Sequence, residues 1–137
     1  MISLRYLLDT NTCIYIAKQK PIQVLHKFEN LVIGEVAMST ITYGELLYGA
    51  EKSQHPKKTL AILEEITGLI PVLPIPTEAG KHYGHIQSQL EKKGLPIGGN
   101  DLWIAAHTLS LEGVVLVTNN IKEFSRIPHI KLENWVS

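Results

Sequence analysis

Cysteine is almost absent from this chain. Cys13 stands alone, which excludes an internal disulfide and suits a reducing compartment. Net charge is absent too: 13 Lys and Arg offset 13 Asp and Glu. No global field therefore draws nucleic acid or a membrane surface, and such a partner would need local basic patches. Lys18 with Lys20, Lys57 with Lys58, and Lys92 with Lys93 are the candidate patches, each equally readable as a solvated face. The N-terminus lacks the basic start and apolar core of a secretion signal. No apolar run approaches the length that crosses a bilayer. Internal repeats, low-complexity tracts and linkers are likewise missing. The expectation is one domain over residues 1–137, cytoplasmic, with no membrane partner.

Apolar runs alternating with helical patterns fill the chain. Tyr6 to Leu8, Val36 to Ser39, Val72 to Ile75 and Val114 to Val117 read as short buried strands, with Ile130 to Leu132 as a candidate fifth. Helical spacing links Tyr43, Leu46, Leu47 and Ala50, then Ala79, Tyr83, Ile86 and Leu90, then Leu102, Ala105, Ala106 and Leu109. A shorter helix is expected over Leu60, Leu63, Ile66 and Ile70. Strands separated by helices imply crossover connections and a parallel sheet covered on both faces, an α/β fold. Proline cannot donate to a ladder, so Pro71 and Pro74 predict that the third strand lies at a sheet edge. Cys13, beside Ile14 and Ala17, reads as a packed small residue.

In such a sheet the carboxyl ends of the strands share a rim with the N-termini of the crossover helices, and ligands bind there. Asp9 leaves the first strand. Glu45 is expected in the first turn of the next long helix, Asp101 opens the helix before the fourth strand, and Thr118-Asn119-Asn120 leave that strand. Each has a plainer reading. Thr42-x-x-Glu45 has the spacing of a capping box, Asn100-Asp101 resembles an N-cap followed by an acid favoured by the helix dipole, and Asp9 can begin a turn. Jointly they are harder to dismiss, because three carboxylates on one dry rim repel one another unless a cation neutralises them. Oxygen ligands without clustered Cys or His point to Mg²⁺, with Mn²⁺ able to substitute, rather than zinc. That chemistry suits phosphodiester hydrolysis. His82 and His85 share a helix face without a third partner in sequence, and His107, inside an Ala-rich helix, reads as packed.

Four ordered segments carry a family resemblance: Leu8-Asp9-Thr10-Asn11, Ser39-Thr40-Ile41-Thr42-Tyr43-Gly44-Glu45-Leu46, Ile97-Gly98-Gly99-Asn100-Asp101-Leu102-Trp103-Ile104-Ala105-Ala106-His107, and Val117-Thr118-Asn119-Asn120 leading to Glu123-Phe124. With the closing Glu133-Asn134-Trp135 they span nearly the whole chain. The chain resembles PIN-domain ribonucleases, and among them the VapC toxins of bacterial type II toxin–antitoxin modules.

The resemblance implies a three-layer α/β/α domain with a central parallel sheet of four or five strands, and a Mg²⁺- or Mn²⁺-dependent endoribonuclease. It gives Asp9, Glu45 and Asp101 catalytic duty and makes Asp9 and Asp101 the metal ligands. Asn11, Thr118 and Asn120 are expected to orient ligands and waters from behind them. Many relatives carry a fourth acid after the fourth strand; Asn120 stands there instead, which leaves one or two metals open. Lys92 and Lys93, ahead of the loop to Asp101, are the expected approach for RNA phosphates. Expected partners are an RNA, with tRNA as the candidate class, a VapB-type antitoxin, a second copy of the chain, and operator DNA through the antitoxin only. Leu31 to Ile33 and Leu46 with Leu47 are candidate contact surface. The alternatives are a PIN nuclease without an antitoxin, a non-catalytic binding module of the same fold, and a Mg²⁺ phosphatase or receiver domain. Asp9-Thr10-Asn11 lacks the second acid that the last requires.

Overall fold

The computed structural model describes residues 1–137. Five strands alternate with seven helices: β1 (Tyr6–Leu8), α1 (Thr10–Lys18), α2 (Ile22–Glu29), β2 (Val36–Ser39), α3 (Thr40–Lys52), α4 (Pro56–Leu69), β3 (Val72–Leu73), α5 (Thr77–Lys92), α6 (Gly99–Leu109), β4 (Val115–Val117), α7 (Ile121–Phe124) and β5 (Leu132–Glu133). All pairings are parallel, in the order β3-β2-β1-β4-β5. The α/β expectation holds, and a fifth strand is present, at Leu132–Glu133 rather than Ile130 to Leu132. β3 lies at the edge, as its flanking prolines require, and Pro71 serves the sheet only as an acceptor, for the Met38 N–H at 2.9 Å.

The sheet is buried on both faces because its strands are apolar at successive positions rather than alternating. Tyr6, Leu8, Val36, Met38 and Val117 face a core shared with Cys13, Ile16, Val24, Leu46, Leu63 and Ile66 from the first four helices. On the other face Leu116 packs with Ile86, Leu90, Leu102, Ile104 and Phe124, while Leu7 and Ala37 pack with Val114. Cys13 is buried, as its helical setting predicts, and burial pushes its thiol far above the ordinary range.

Several sequence expectations shift. The helix over Leu60 to Ile70 runs Pro56–Leu69 and is longer than α3, with Pro56 starting it at a position where a missing N–H costs nothing. α2 has no counterpart among the expected helices; of its apolar positions Ile22, Val24, Leu25 and Phe28 only Val24 is fully buried. Leu46 is core rather than contact surface, whereas Val32 and Ile33 remain 52% and 57% exposed. No helix is long and apolar enough to cross a membrane.

Chain order sends β2 and β3 to one side of β1, and β4 and β5 to the other. The strand order therefore reverses between β1 and β4, and the crevice at their carboxyl ends is where open α/β sheets bind ligands. Register places Leu8 beside Val117, so the next residues out, Asp9 and Thr118, sit side by side at that crevice.

Candidate active site

Asp9 does two jobs. Its backbone N–H extends the sheet to the Val117 carbonyl at 3.0 Å, and its side chain caps α1 by accepting the Thr12 N–H at 2.9 Å. Only 6% of it is exposed. Burial raises its pKa, hydrogen bonds from the Thr118 side chain and from Thr12 oppose that rise, and the charge of Glu45 adds to it. Thr118 is fully buried, and its hydroxyl also accepts the Asn120 N–H at 2.9 Å. A donor to Asp9 and an acceptor for the turn behind β4 are thus one atom.

Glu45 stands in the second turn of α3, not the first. Ser39 caps that helix by accepting the Ile41 N–H at 3.2 Å, so Thr42 and Glu45 form no capping box. The Glu45 carboxylate is instead held from two sides: Thr10 donates to Oε1 at 2.5 Å and Asn100 donates to Oε2 at 3.3 Å. Asn100 is no N-cap either, since Gly98 precedes the helix and Asn100 and Asp101 lie in its first turn. Both capping patterns misread residues inside the helix whose side chains face another element.

Asp101 is half-buried. A helix N-terminus favours an anion, yet its pKa is pushed up to about 6. Burial is the largest cause, followed by the charges of Glu123, Glu45 and Asp9, and by a hydrogen bond with the Glu123 carboxyl. Desolvation and like charge outweigh the dipole. Asp9, Glu45 and Asp101 therefore do converge.

Glu123 is the residue that sequence reasoning leaves outside. It sits in the single turn of α7, accepts from the Asn120 side chain and from the Gly98 N–H at 3.4 Å, and stands near enough to Asp101 to raise its pKa. The fourth acid of the rim is thus Glu123, three residues beyond Asn120. Asn120 serves it as a donor and is the residue that immediately precedes α7. The signal is present in Asn120-x-x-Glu123: three residues bring side chains together if the stretch is helical.

Other expected residues stand apart. The Asn11 side chain is exposed and makes no hydrogen bond within the protein, and Lys92 and Lys93, at the end of α5, are exposed and unpaired. His107 is fully buried; its Nδ1 lies 2.9 Å from the Ser39 hydroxyl, joining α6 to the start of α3, and its Nε2 has no partner. Burial lowers its pKa, so the imidazole is held neutral.

The protein's ion pairs are Arg5–Glu35, Lys27–Glu133 and Lys81–Glu78, and none includes Asp9, Glu45, Asp101 or Glu123. Four acids share one rim with no protein cation to offset them. Beside them runs a groove of about 410 Å³ between α1, α3 and α4, lined by Ile14, Ala17, Leu46, Ala50 and Leu63, with Glu45 on its wall.

Comparison with known proteins agrees with this architecture. Residues 6–130 match the PIN domain. The chain is 46% identical over 132 residues to the tRNA(fMet)-specific endonuclease VapC of Salmonella typhimurium, covering 96% of this chain and 98% of that one. It is 43% identical over 133 residues to the ribonuclease VapC2 of Haemophilus influenzae, covering 97% and 99%. Among solved structures, the DNA-bound VapBC of Salmonella typhimurium superposes with a TM-score of 0.89 at 45% identity, over 96% of this chain and 98% of that one. VapBC-1 of nontypeable Haemophilus influenzae gives 0.88 at 40%, over 98% and 100%. Five parallel strands, a rim of acids at the β1/β4 crevice and identity of this level along nearly the whole length place the chain in the PIN-domain family, among the VapC ribonucleases.

Proposed function

We propose that the chain is the toxin of a type II toxin–antitoxin pair, a Mg²⁺-dependent endoribonuclease of the cytoplasm whose substrate class is tRNA. The carrying observation is the rim itself: Asp9, Glu45, Asp101 and Glu123 gathered without a compensating Lys or Arg. A retired, purely binding version of the fold has no reason to keep four repelling charges.

The donor set fits a hard divalent cation. It is all oxygen, and burial makes ionisation of Asp9 and Asp101 costly until positive charge arrives. No three acid, histidine or cysteine side chains converge closely enough to cage an ion. A cation here would have to keep several waters and take one or two carboxylates, a coordination open to Mg²⁺. Asp9 and Asp101 would hold it, with Glu123 within reach through Asp101. When bound, the cation supplies Lewis-acid polarisation of the scissile phosphoryl group and eases deprotonation of water.

The remaining work falls to the chain. Glu45, fixed by Thr10 and Asn100, has lone pairs left to accept from the attacking water and take its proton. The water oxygen bonds to phosphorus and the P–O3′ bond breaks. The 3′ oxygen leaves as a hydroxyl after taking a proton from solvent, and the other product carries a 5′-phosphate. Thr118 fixes Asp9, and Asn120 fixes Glu123. Asn11, exposed at the mouth, is available to substrate.

Cation binding gives a signed prediction. Asp101 is raised from 3.8 to about 6 in the fold, so its protonated form adds stability below pH 3.8 that is lost as pH rises through 6. Mg²⁺ should therefore raise the Tm of metal-free protein at pH 7.5, and the rise should shrink as pH falls below 6. Differential scanning calorimetry at the two pH values checks it; an equal shift at both counts against a carboxylate site. Glu123→Gln should weaken Mg²⁺ binding and reduce the pH dependence of the shift.

The antitoxin would lay an apolar segment in the α1/α3/α4 groove and direct a basic side chain to Glu45. The VapBC complex of Salmonella typhimurium is DNA-bound; here DNA binding would come through the antitoxin. Val32 and Ile33 offer an exposed apolar face to a second copy. Lys92 and Lys93 would meet RNA phosphates. Replacing both with Ala should flatten the log–log salt dependence of binding by about one unit for each lysine that neutralises a phosphate; an unchanged slope removes them from the interface.

The deciding experiment adds Mg²⁺ to the purified chain with total tRNA, with and without the antitoxin from a neighbouring gene, and maps new 5′ ends. Discrete cuts that EDTA and the antitoxin both suppress are expected. Cuts insensitive to every co-encoded small protein would favour a nuclease without an antitoxin, and intact RNA throughout would favour a binding module.

A further inference from the structure

Trp103 is unaccounted for by the core. It packs against none of the three buried clusters, whereas Tyr83 on α5 is anchored against the one that contains Ile86 and Phe124. The Trp103 ring lies on Tyr83 with centroids 4.0 Å apart and planes 17° from parallel. It is half-buried, and its indole N–H makes no hydrogen bond in the protein, unlike that of Trp135, which donates to Glu133 at 2.9 Å. One face of the indole is therefore backed by a fixed ring while the side chain keeps access to solvent.

Its place in the helix gives this meaning. Trp103 is three residues after Asn100, on the same side of α6, about 4.5 Å further along the axis. Asn100 donates to Glu45, so α6 carries Trp103 about one turn beyond a residue that touches the catalytic rim, with its ring against α5. Single-stranded RNA is gripped by aromatic rings because every base has a π-face, and such stacking is sequence-tolerant. A half-buried indole backed by a second ring needs little ordering when a base arrives.

We propose that Trp103, backed by Tyr83, is a base-stacking platform for an unpaired nucleotide next to the scissile phosphate. The proposal rests on the nuclease reading above and deepens it by requiring a substrate that is unpaired at the cut.

The chain has two tryptophans, and the other, Trp135, is 5% exposed and edge-on to Tyr6, so Trp103 carries the RNA-sensitive emission. The probe is a fluorescein-labelled single-stranded oligoadenylate, with Asp101→Asn protein that cannot cleave it. Binding followed by anisotropy should coincide with quenching of tryptophan emission, and Trp103→Phe should remove the quench while leaving most of the affinity. In the cleaving protein, Trp103→Ala should raise KM about tenfold with a smaller change in kcat, and Trp103→Phe should restore most of it.

Binding without a quench, no binding of the oligoadenylate, or an unchanged KM in folded Trp103→Ala protein would each overturn the platform. So would a Tm loss in Trp103→Ala with KM intact, which marks helix packing only, or emission that changes with protein concentration and not with RNA, which marks an interface between copies. The two readings fail separately. RNA cleavage with an indifferent Trp103 removes the platform alone, whereas a quench with no cleavage by the unsubstituted protein removes the nuclease.

Discussion

Asp101→Asn should reduce RNA cleavage to background, a loss of about three orders of magnitude or more, while raising the Tm of the metal-free protein at neutral pH. The two effects share a cause. Asp101 is half-buried against Glu123, Glu45 and Asp9, and its ionisation is unfavourable enough to move its pKa to about 6. An amide of the same shape removes that repulsion and with it the charge a cation needs. A structural acid would behave in the opposite way, losing stability when neutralised. Calorimetry with EDTA, beside an RNA cleavage assay with Mg²⁺, reads both. Cleavage retained by folded Asp101→Asn protein would sink the metal assignment, and a Tm decrease would show that the acid is held by favourable interactions instead. Asp9→Asn should also abolish cleavage, with a smaller gain in stability, because Thr12 and Thr118 already favour its charged form.

Phe124→Ala should cost about 3–5 kcal/mol, the range for emptying a buried aromatic site. Phe124 is among the largest fully buried side chains and packs with Leu116, Ile127 and Leu102 on the α6 face of the sheet. α7 has only four residues and no side-chain cap, so it has little helical stability of its own. Phe124 is what holds it, and Glu123 is the preceding residue. The variant should therefore lose Mg²⁺ affinity as well as stability. Phe124→Leu, which fills most of the space, should recover both in large part. Urea unfolding and a Mg²⁺-induced Tm shift measure the two losses. Full Mg²⁺ affinity in a folded Phe124→Ala protein would show that Glu123 is placed by its hydrogen bonds alone.

Legibility in the sequence follows the range of the signal. The strands of the sheet centre are readable almost to the residue, because Tyr6 to Leu8 and Val36 to Ser39 are short apolar runs with no helical period. The edge position of β3 follows from a chemical fact about proline, whatever the rest of the fold. α2 carries an amphipathic pattern of its own at Ile22, Val24, Leu25 and Phe28, yet only Val24 is fully buried, so a helix is legible there while its place against the core is not. The capping patterns mislead for a related reason. A side chain that bonds across to another element can have the same spacing as one that bonds to its own backbone, and only the partner distinguishes them.

A parallel α/β sheet with Asp9, Glu45 and Asp101 on its carboxyl rim needs nothing beyond the order of the residues, because hydrophobic period and strand–helix alternation fix topology, and topology fixes which ends meet. The fourth acid is a product of packing. Glu123 belongs to the site because the buried Phe124 ring anchors one short turn beside Asp101 and Gly98; Asn120-x-x-Glu123 pairs those two side chains locally, but only contacts made across the chain bring the turn to the rim. What each acid experiences is likewise a matter of the folded molecule. The burial that lifts the pKa of Asp101 and the hydrogen bonds that hold Glu45 come from residues distant in sequence, and desolvation depends on everything packed around a group.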